Sequence, residues 1–287
     1  MRFDRWLSKN TESLAGKTVA ISGSTGGLGK HICRYLASLG ASIILLDRNR
    51  ARSEANKTAL EEEFPKVSVS LITLDLVDIF SVREATERLK EISPDVFIHN
   101  AGAYSIPRCT SNSGYDNVFT INFASPYYMV RELLPTLRNK GGRVVVVGSI
   151  AHNYSRINED DVDFTGVKKA SRVYGNAKRF LMFSLYELFE REEGVSLSVT
   201  HPGITFTNIT SHYPKLIYAL IKHPMKVIFK IVLPLSFPGI LTGITMTFVH
   251  FRIISAFARI HCTHKHEFCG IDNRAGDTGY GHLAVFH

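Results

Sequence analysis

Short apolar runs alternate with amphipathic stretches along the first 200 residues of the chain. The apolar runs, rich in Val and Ile, predict six buried strands at residues 17–22, 42–46, 67–74, 96–99, 144–147 and 196–200. The stretches between them repeat apolar residues every three or four positions, which predicts helices near residues 28–39, 50–63, 79–91, 114–137 and 171–193. Strands that alternate with helices in this way predict an α/β fold with a doubly wound parallel sheet, covered by helices on both faces.

A glycine-rich turn joins the first predicted strand to the first helix. Residues 22–29 read SGSTGGLG and include Gly23, Gly27 and Gly29. Such a turn lets the backbone approach a pyrophosphate, whose charge is stabilised by the N-terminus of the following helix. With an acidic residue about 20 positions later, the pattern indicates a Rossmann-type dinucleotide site, and a turn without a ligand is the alternative.

The acidic residue is Asp47, at the end of the second predicted strand. A carboxylate in this place can accept hydrogen bonds from the adenosine ribose hydroxyls and repels a 2′-phosphate. The sequence therefore favours NAD(H) over NADP(H) as the cofactor. Arg48 follows directly and can instead pair with that phosphate, so NADP(H) remains the alternative.

Tyr174 and Lys178 lie four residues apart and so share one face of a predicted helix. A phenol with a pKa near 10 is a poor acid–base catalyst at neutral pH. A neighbouring cation is expected to lower the pKa of Tyr174 towards the working range. Ser149 ends the fifth strand segment, at the sheet edge where open α/β sheets bind ligands. These residues indicate an acid–base site, although the Tyr–Lys spacing alone is also typical of an ordinary surface helix.

The chain resembles the short-chain dehydrogenase/reductase family over about residues 15–207. The residues that carry the resemblance are the glycine turn, Asp75-Leu76, Asn100-Ala101-Gly102, Asn122, Ser149, Tyr174 with Lys178, and Pro202-Gly203. Ser22 stands where the family usually has threonine, a change that keeps the hydroxyl group. The resemblance implies an NAD(P)-dependent oxidoreductase that transfers a hydride between the nicotinamide and a substrate carbon.

The resemblance also implies a role for each matching residue. Four residues are implied to form a catalytic tetrad: Asn122, Ser149, Tyr174 and Lys178. In it the tyrosine exchanges the substrate proton, the lysine binds the nicotinamide ribose and tunes the tyrosine, the serine binds the substrate oxygen, and the asparagine holds a relay water. The implied cofactor-binding residues are Gly23, Ser24, Thr25, Gly27, Leu28, Gly29, Asp47, Arg48, Asp75, Leu76, Asn100, Ala101, Gly102, Tyr174, Lys178, Pro202, Gly203 and Thr207. Among them, Asp75 is assigned to the adenine and Thr207 to the carboxamide.

An insert before the tyrosine points to one branch of the family. Ser149 and Tyr174 are 25 residues apart, a longer separation than in many members. The stretch from Ala151 to Phe164, rich in acidic residues, resembles the retinol dehydrogenase-like branch. That branch handles lipid alcohols and carbonyls, often at membranes. The resemblance thus implies a small apolar alcohol or carbonyl as substrate, such as a lipid, steroid or retinoid, and a place in lipid metabolism.

The length fits one domain with a C-terminal apolar lid segment. The chain of 287 residues is 45% hydrophobic, enough for a core that needs neither disulfides nor metal. We expect an N-terminal arm (1–16), a dinucleotide-binding and catalytic domain (17–207), a substrate lid or membrane-contact segment (208–256) and an atypical tail (257–287). No signal peptide is recognised, and the four cysteines are too few for a disulfide scaffold, which favours a cytoplasmic protein. The His- and Cys-containing tail fits no zinc module, so no metal site is predicted.

Positive charge is concentrated in the last third of the chain. The net charge is +8, and residues 194–266 contain seven Lys and Arg but no Asp or Glu. Such a surface favours anionic partners, and because no nucleic-acid module accompanies it, a lipid headgroup is ranked above nucleic acid. Residues 215–251 are the candidate for membrane-surface contact. Within them, residues 231–251 carry no charge and are interpreted as a soluble lid, a peripheral contact or a span; their prolines and glycines favour the lid.

The sequence also allows two other functions to be considered, a non-catalytic binding protein and an epimerase. A non-catalytic NAD(P)-binding sensor or scaffold is disfavoured by the intact tetrad and favoured only by the atypical C-terminus. A sugar-nucleotide epimerase of the extended branch would have the glycine spacing G-x-x-G-x-x-G, which differs from this turn. The family resemblance also implies a homo-oligomer.

Overall fold

A single parallel sheet organises the part of the chain that this computed structural model describes, residues 12–154, 161 and 170–200. Its six strands lie in the order β3-β2-β1-β4-β5-β6. They are β1 (Thr18–Ser22), β2 (Ser42–Asp47), β3 (Val69–Thr73), β4 (Val96–His99), β5 (Arg143–Val147) and β6 (Ser196–Thr200). The predicted α/β fold with a doubly wound parallel sheet is confirmed.

Helices connect the strands. They are α1 (Gly27–Ser38), α2 (Arg50–Glu63), α3 (Ile79–Ile92), α4 (Asn117–Phe119), α5 (Ser125–Arg138) and α6 (Ala170–Phe189). A π-helical turn, Thr120–Ala124, joins α4 to α5, and a 3-10 turn, Ile150–Tyr154, follows β5. Polar caps set two of the starts: the side chain of Asn49 accepts from the Arg52 amide at 2.9 Å, and that of Asp78 accepts from the Phe80 amide at 3.0 Å. Each cap satisfies a backbone N–H that has no partner within its helix.

Both faces of the central strands are buried. On one face, Val19 and Ile21 of β1 join Ile43 of β2 and two α1 residues, Cys33 and Ala37, in one apolar cluster. Residues between them in the sequence, such as Ala20, point to the opposite face and are equally buried. Burial on both faces explains why these strands are nearly continuous apolar runs.

The order of the strands brings the candidate motifs to one edge. From β1 the chain moves to β2 on one side, and β4 later pairs with β1 on the other. In this register Ser22 lies opposite both Leu46 and His99. The glycine turn after β1 and the segment 100–102 after β4 therefore leave adjacent carboxyl ends, at the switch point where such sheets bind ligands.

Two predicted helices need correction. The helix expected over residues 114–137 begins at Asn117, because Gly114 has a φ of +79° in the preceding loop and Asp116 caps the helix. It is also interrupted by the π-helical turn. Similarly, the helix expected to reach residue 193 ends at Phe189. The other boundaries agree within two residues.

Several predicted segments lie outside the described residues. They are most of the N-terminal arm (1–16), the lid or membrane-contact segment (208–256) and the tail (257–287). No helix in the described ranges is both long enough and apolar enough to cross a membrane.

Candidate functional site

The glycine turn approaches other backbone so closely that two of its glycines are sterically required. A Cβ at Gly23, whose φ is +71°, would lie 2.8 Å from the Ala101 Cα. A Cβ at Gly29 would lie 2.1 Å from the Gly23 carbonyl oxygen. Helix α1 begins directly after the turn, with neither a side-chain cap nor an acidic residue in its first turn. Its first N–H groups are therefore suited to an anion such as a pyrophosphate.

Ser22 joins the ends of β1 and β4. Its Oγ accepts from the backbone N–H groups of Asn100 and Ala101, both at 3.1 Å, and lies 3.1 Å from His99 Nδ1. Because the oxygen accepts twice, its own proton is donated to His99. The Asn100 side chain donates back to the carbonyl oxygens of Ser22 at 3.2 Å and Gly23 at 2.9 Å. These bonds hold the turn and residues 100–102 against each other.

His99 is a buried residue of this edge that the sequence analysis did not select. Burial, with a smaller contribution from the charge of Lys178, lowers the pKa of His99 well below its ordinary value. The imidazole is thus neutral at physiological pH, in agreement with its role as acceptor of the Ser22 hydroxyl proton. A polar residue at the end of an otherwise apolar strand was the available signal.

Asn122 lies in the π-helical turn and holds the segment that follows residue 102. Its Nδ2 donates to the carbonyl oxygens of Ala103 and Val118, both at 2.8 Å, and its Oδ1 accepts from the Ala103 amide at 3.2 Å. The residue is fully buried. π-helical turns occur frequently at functional sites, where they redirect a side chain. Here the turn directs an amide that fixes both backbone groups of one loop residue.

Lys178 of α6 is buried and reaches the end of β5. Its Nζ donates to the Val147 carbonyl oxygen at 3.0 Å and lies 5.8 Å from the centroid of the Tyr174 ring. Burial lowers the pKa of Lys178 from 10.5 to about 8. A Cβ at Gly102 would lie 3.0 Å from Asn122 Oδ1 and 3.5 Å from Lys178 Nζ. The glycine therefore lets both groups come close to the backbone.

The pKa of Tyr174 departs from expectation. Burial raises it above 10, a hydrogen bond with Ser149 opposes this, and Tyr104 raises it further. The expected lowering is therefore wrong for this structure, because desolvation of the phenolate outweighs the favourable contacts. The hydrogen bond does bring Ser149 and Tyr174 together, as predicted.

Tyr104 is a second aromatic residue at the site that the sequence analysis missed. Its ring meets that of Tyr174 edge to face, with centroids 5.3 Å apart and an interplanar angle of 80°. It directly follows Ala103, which Asn122 holds. An aromatic residue two positions after Gly102 was the available signal.

Asp47 ends β2 beside the glycine turn and is 6% exposed. It accepts hydrogen bonds from the hydroxyl groups of Ser24 and Ser53 and from the backbone N–H and hydroxyl of Thr25. The next residue, Arg48, is exposed. The structure thus brings Ser24, Thr25 and Asp47 together, with the carboxylate directed at the turn.

Of the remaining predicted cofactor-binding residues, some lie at the same sheet edge and others lie outside the described residues. Asp75 and Leu76 follow β3 at the same edge; the Asp75 amide donates to Ser81 Oγ at 2.9 Å, and the Leu76 carbonyl oxygen accepts from Ser125 Oγ at 2.7 Å. Gly27 and Leu28 form the first turn of α1. Pro202, Gly203 and Thr207 lie outside the described residues. Within the described part of the chain, no three His, Cys, Asp or Glu side chains cluster as metal ligands would.

The chain is similar to known proteins in both sequence and fold. A family model described as short chain dehydrogenase matches residues 17–215. Retinol dehydrogenase 14 of Homo sapiens is 33% identical over 215 residues, which cover 69% of this chain and 64% of that protein. Polyprenol dehydrogenase of Homo sapiens is 27% identical over 207 residues, covering 68% and 63%.

A solved structure shares the fold. The crystal structure of an uncharacterised protein from Mycobacterium Paratuberculosis is 28% identical, with a TM-score of 0.62, and the match covers 74% of this chain and 79% of that one. The chain spans less than two thirds of the length of the two human relatives. The family model nevertheless covers well over half of the chain and includes the glycine turn, Ser149, Tyr174 and Lys178. The resemblance inferred from the motifs is therefore confirmed, and the chain belongs to the short-chain dehydrogenase family.

Proposed function

We propose that this chain is an NAD(P)-dependent oxidoreductase that interconverts an apolar alcohol and its carbonyl. The observation that carries the proposal is the arrangement of Ser149, Tyr174 and Lys178 at the carboxyl edge of the sheet. The tyrosine is hydrogen-bonded to the serine and lies near the lysine, which gives a proton donor with a polarising partner and a cation. Membership of the short-chain dehydrogenase family supports the same activity.

The residues beside the turn fit a dinucleotide. Gly23 and Gly29 leave no room for side chains, and the uncapped N-terminus of α1 offers N–H groups to a pyrophosphate. Residues 100–102 would adjoin the adenosine ribose, and Asp75 and Leu76 the adenine. When bound, the nicotinamide supplies or accepts the hydride. The negative charge of Asp47 repels a 2′-phosphate and so favours NAD(H), whereas Arg48 can pair with that phosphate and favours NADP(H), so the proposal includes both nucleotides.

The tetrad residues divide the proton chemistry between them. In the reducing direction, the Tyr174 hydroxyl gives its proton to the carbonyl oxygen while hydride adds to the carbonyl carbon. The raised pKa of Tyr174 keeps that proton in place at neutral pH. The Lys178 ammonium then stabilises the phenolate, which regains a proton from water. Ser149 orients the substrate oxygen, and Asn122 would hold a relay water while it fixes the loop at Ala103.

Two observations support an apolar substrate. They are the similarity to proteins named retinol dehydrogenase and polyprenol dehydrogenase, and the acidic insert after Ser149. We include lipid, steroid and retinoid-like alcohols. Contact of residues 215–251 with a membrane surface, a cytoplasmic location with membrane association, and a homo-oligomeric state belong to the same proposal.

Replacement of Tyr174 by Phe tests the proposal. The variant keeps the ring and loses the exchangeable proton, so turnover should fall by about 10²–10⁴-fold. The affinity for nucleotide, measured by nicotinamide fluorescence, should stay within about threefold of the wild type, because the change adds no bulk near the turn. Tyr186→Phe is the matched control, since Tyr186 is a half-buried phenol of the same helix. Unchanged turnover in Tyr174→Phe would contradict the proposal, and nucleotide binding without turnover of any carbonyl in the wild type would favour a sensor.

A further inference from the structure

Four buried polar side chains link the glycine turn to helix α2. Ser24, Asp47, Ser53 and Asn56 are 0%, 6%, 3% and 7% exposed. Burying a polar group is costly unless it is hydrogen-bonded, and burying a carboxylate more so. Because each of the four is hydrogen-bonded to another member, the cluster is a specific internal structure at the edge of the nucleotide site.

The carboxylate of Asp47 has no acceptor position left over. Its two oxygens offer about four lone pairs. Oδ2 accepts from Ser24 Oγ and from Ser53 Oγ, the latter at 2.9 Å. Oδ1 accepts from the backbone N–H and the hydroxyl of Thr25, both at 3.3 Å. A ribose hydroxyl could bond to this group only by displacing a donor that belongs to the chain.

Helix α2 completes the cluster from the other side. Ser53 and Asn56 are three residues apart and therefore share one helix face. Asn56 Nδ2 donates to the Ser24 carbonyl oxygen at 3.3 Å and lies 3.4 Å from Ser24 Oγ. Both the backbone and the hydroxyl of Ser24 are thus held by side chains from β2 and α2.

We propose that Asp47 braces the glycine turn and does not bind the adenosine ribose, and that Ser53 and Asn56 are positioning residues for the nucleotide. The inference rests on the proposed function, in which this turn holds NAD(P). The four bonds keep Ser24 and Thr25 in the conformation that a pyrophosphate meets. Loss of the brace should therefore weaken NADH and NADPH alike, whatever the substituent at the 2′ position.

The first test begins with the wild-type protein. Dissociation constants of NADH and of its 2′-deoxyadenosine analogue are measured by nicotinamide fluorescence. If Asp47 does not bind the hydroxyl, the two constants should agree within about threefold, because a hydrogen bond to a charged group contributes about tenfold or more. A loss of tenfold or more that disappears in Asp47→Ala, which has no side-chain acceptor, overturns the inference. A loss of the same size that persists in Asp47→Ala supports it, since another group then binds the hydroxyl.

The second test concerns the positioning role. Ser53→Ala removes one donor to Asp47, and Ser38→Ala is the matched control, an exposed serine that bonds within its own helix to the Tyr35 carbonyl oxygen at 2.8 Å. Ser53→Ala should weaken NADH and NADPH by the same factor, about three- to tenfold, with little change in kcat at saturating nucleotide. Ser38→Ala should change neither constant. Equal affinities in Ser53→Ala and the wild type, or a tenfold greater effect on one nucleotide than on the other, overturn the inference.

Failure of the proposed function has a different signature. If the wild type binds neither NADH nor NADPH, the proposed dinucleotide site is itself contradicted. If the wild type binds NADH and the contribution of the 2′-hydroxyl depends on Asp47, only the bracing role of Asp47 is contradicted.

Discussion

Substitution of Gly29 by Ala should unfold the glycine turn. The new Cβ would lie 2.1 Å from the Gly23 carbonyl oxygen and 2.9 Å from the Ser24 Cα. Both are backbone atoms and cannot rotate away. It would also lie 3.0 Å from Asn100 Nδ2, which donates to the same Gly23 oxygen at 2.9 Å. The methyl group therefore displaces the turn and the bond that holds it to β4.

The magnitude follows from two contributions. An added methyl group in a filled space costs about 1–3 kcal/mol, and loss of the Asn100 hydrogen bond adds about 1 kcal/mol. The free energy of unfolding should fall by about 3 kcal/mol, and the affinity for nucleotide should fall with it because the anion-binding surface is displaced.

Urea unfolding followed by far-ultraviolet circular dichroism measures the effect, and Gly26→Ala is the control. At Gly26 the added Cβ would have the Gly23 oxygen at 3.6 Å, an ordinary contact, and the φ of −75° suits any residue. This variant should match the wild type or gain about 0.4–1 kcal/mol through the unfolded state. Equal unfolding midpoints for the two variants, or wild-type nucleotide binding by Gly29→Ala, would refute the steric argument.

Three other measurements probe burial at the site. Because burial lowers the pKa of Lys178 to about 8, the unfolded chain binds more protons between pH 8 and 10. The free energy of unfolding of the wild type, measured with urea, should therefore rise relative to that of Lys178→Met by up to about 3 kcal/mol as the pH increases through that window. A difference between the two proteins that does not change with pH would contradict this. Tyr104→Phe retains the ring contact and should keep turnover, although it removes the phenol whose charge raises the pKa of Tyr174. Tyr104→Ala should in addition admit water and lower that pKa further in the pH profile of turnover. A Tyr104→Ala profile identical to that of the wild type would exclude this role. Iodoacetamide should label the exposed Cys109 but not Cys33, whose pKa burial raises to about 12, as peptide mapping would show.

Local patterns predicted most of the fold. Most strands are short apolar runs, and most helices repeat apolar residues every three or four positions, so these elements could be recognised from the local sequence alone. The exception is the helix expected from residue 114. Its apolar periodicity continues through the loop, and only the positive φ of Gly114 and the Asp116 cap mark the true start. The π-helical turn leaves no mark on the hydrophobic pattern.

The candidate site was predictable only where a motif is contiguous. The glycine turn and the Tyr174–Lys178 pair are local patterns, and the structure brings the pair near the end of β5. His99 was missed because its role depends on Ser22, 77 positions earlier in the sequence. Ser53 is only six residues from Asp47, but no motif marks it, and its contact with Asp47 depends on how helix α2 packs against the end of β2. The expected direction of the Tyr174 pKa shift was wrong for a related reason. The sequence spacing reveals the neighbouring cation, whereas desolvation depends on all the residues packed around the phenol.

The position of β1 has a consequence for how the chain folds. It is synthesised before the other five described strands, yet it lies inside the sheet between β2 and β4, and its partner residues in β4 are 77 positions further along. The edge of β1 that pairs with β4 must therefore stay unpaired while three helices and two strands are synthesised. Sheets built from such distant pairings fold slowly and expose strand edges in the meantime. Dilution from urea should accordingly give slow refolding, with yields that fall as protein concentration rises, because an open β1 edge can also pair with a strand of another copy.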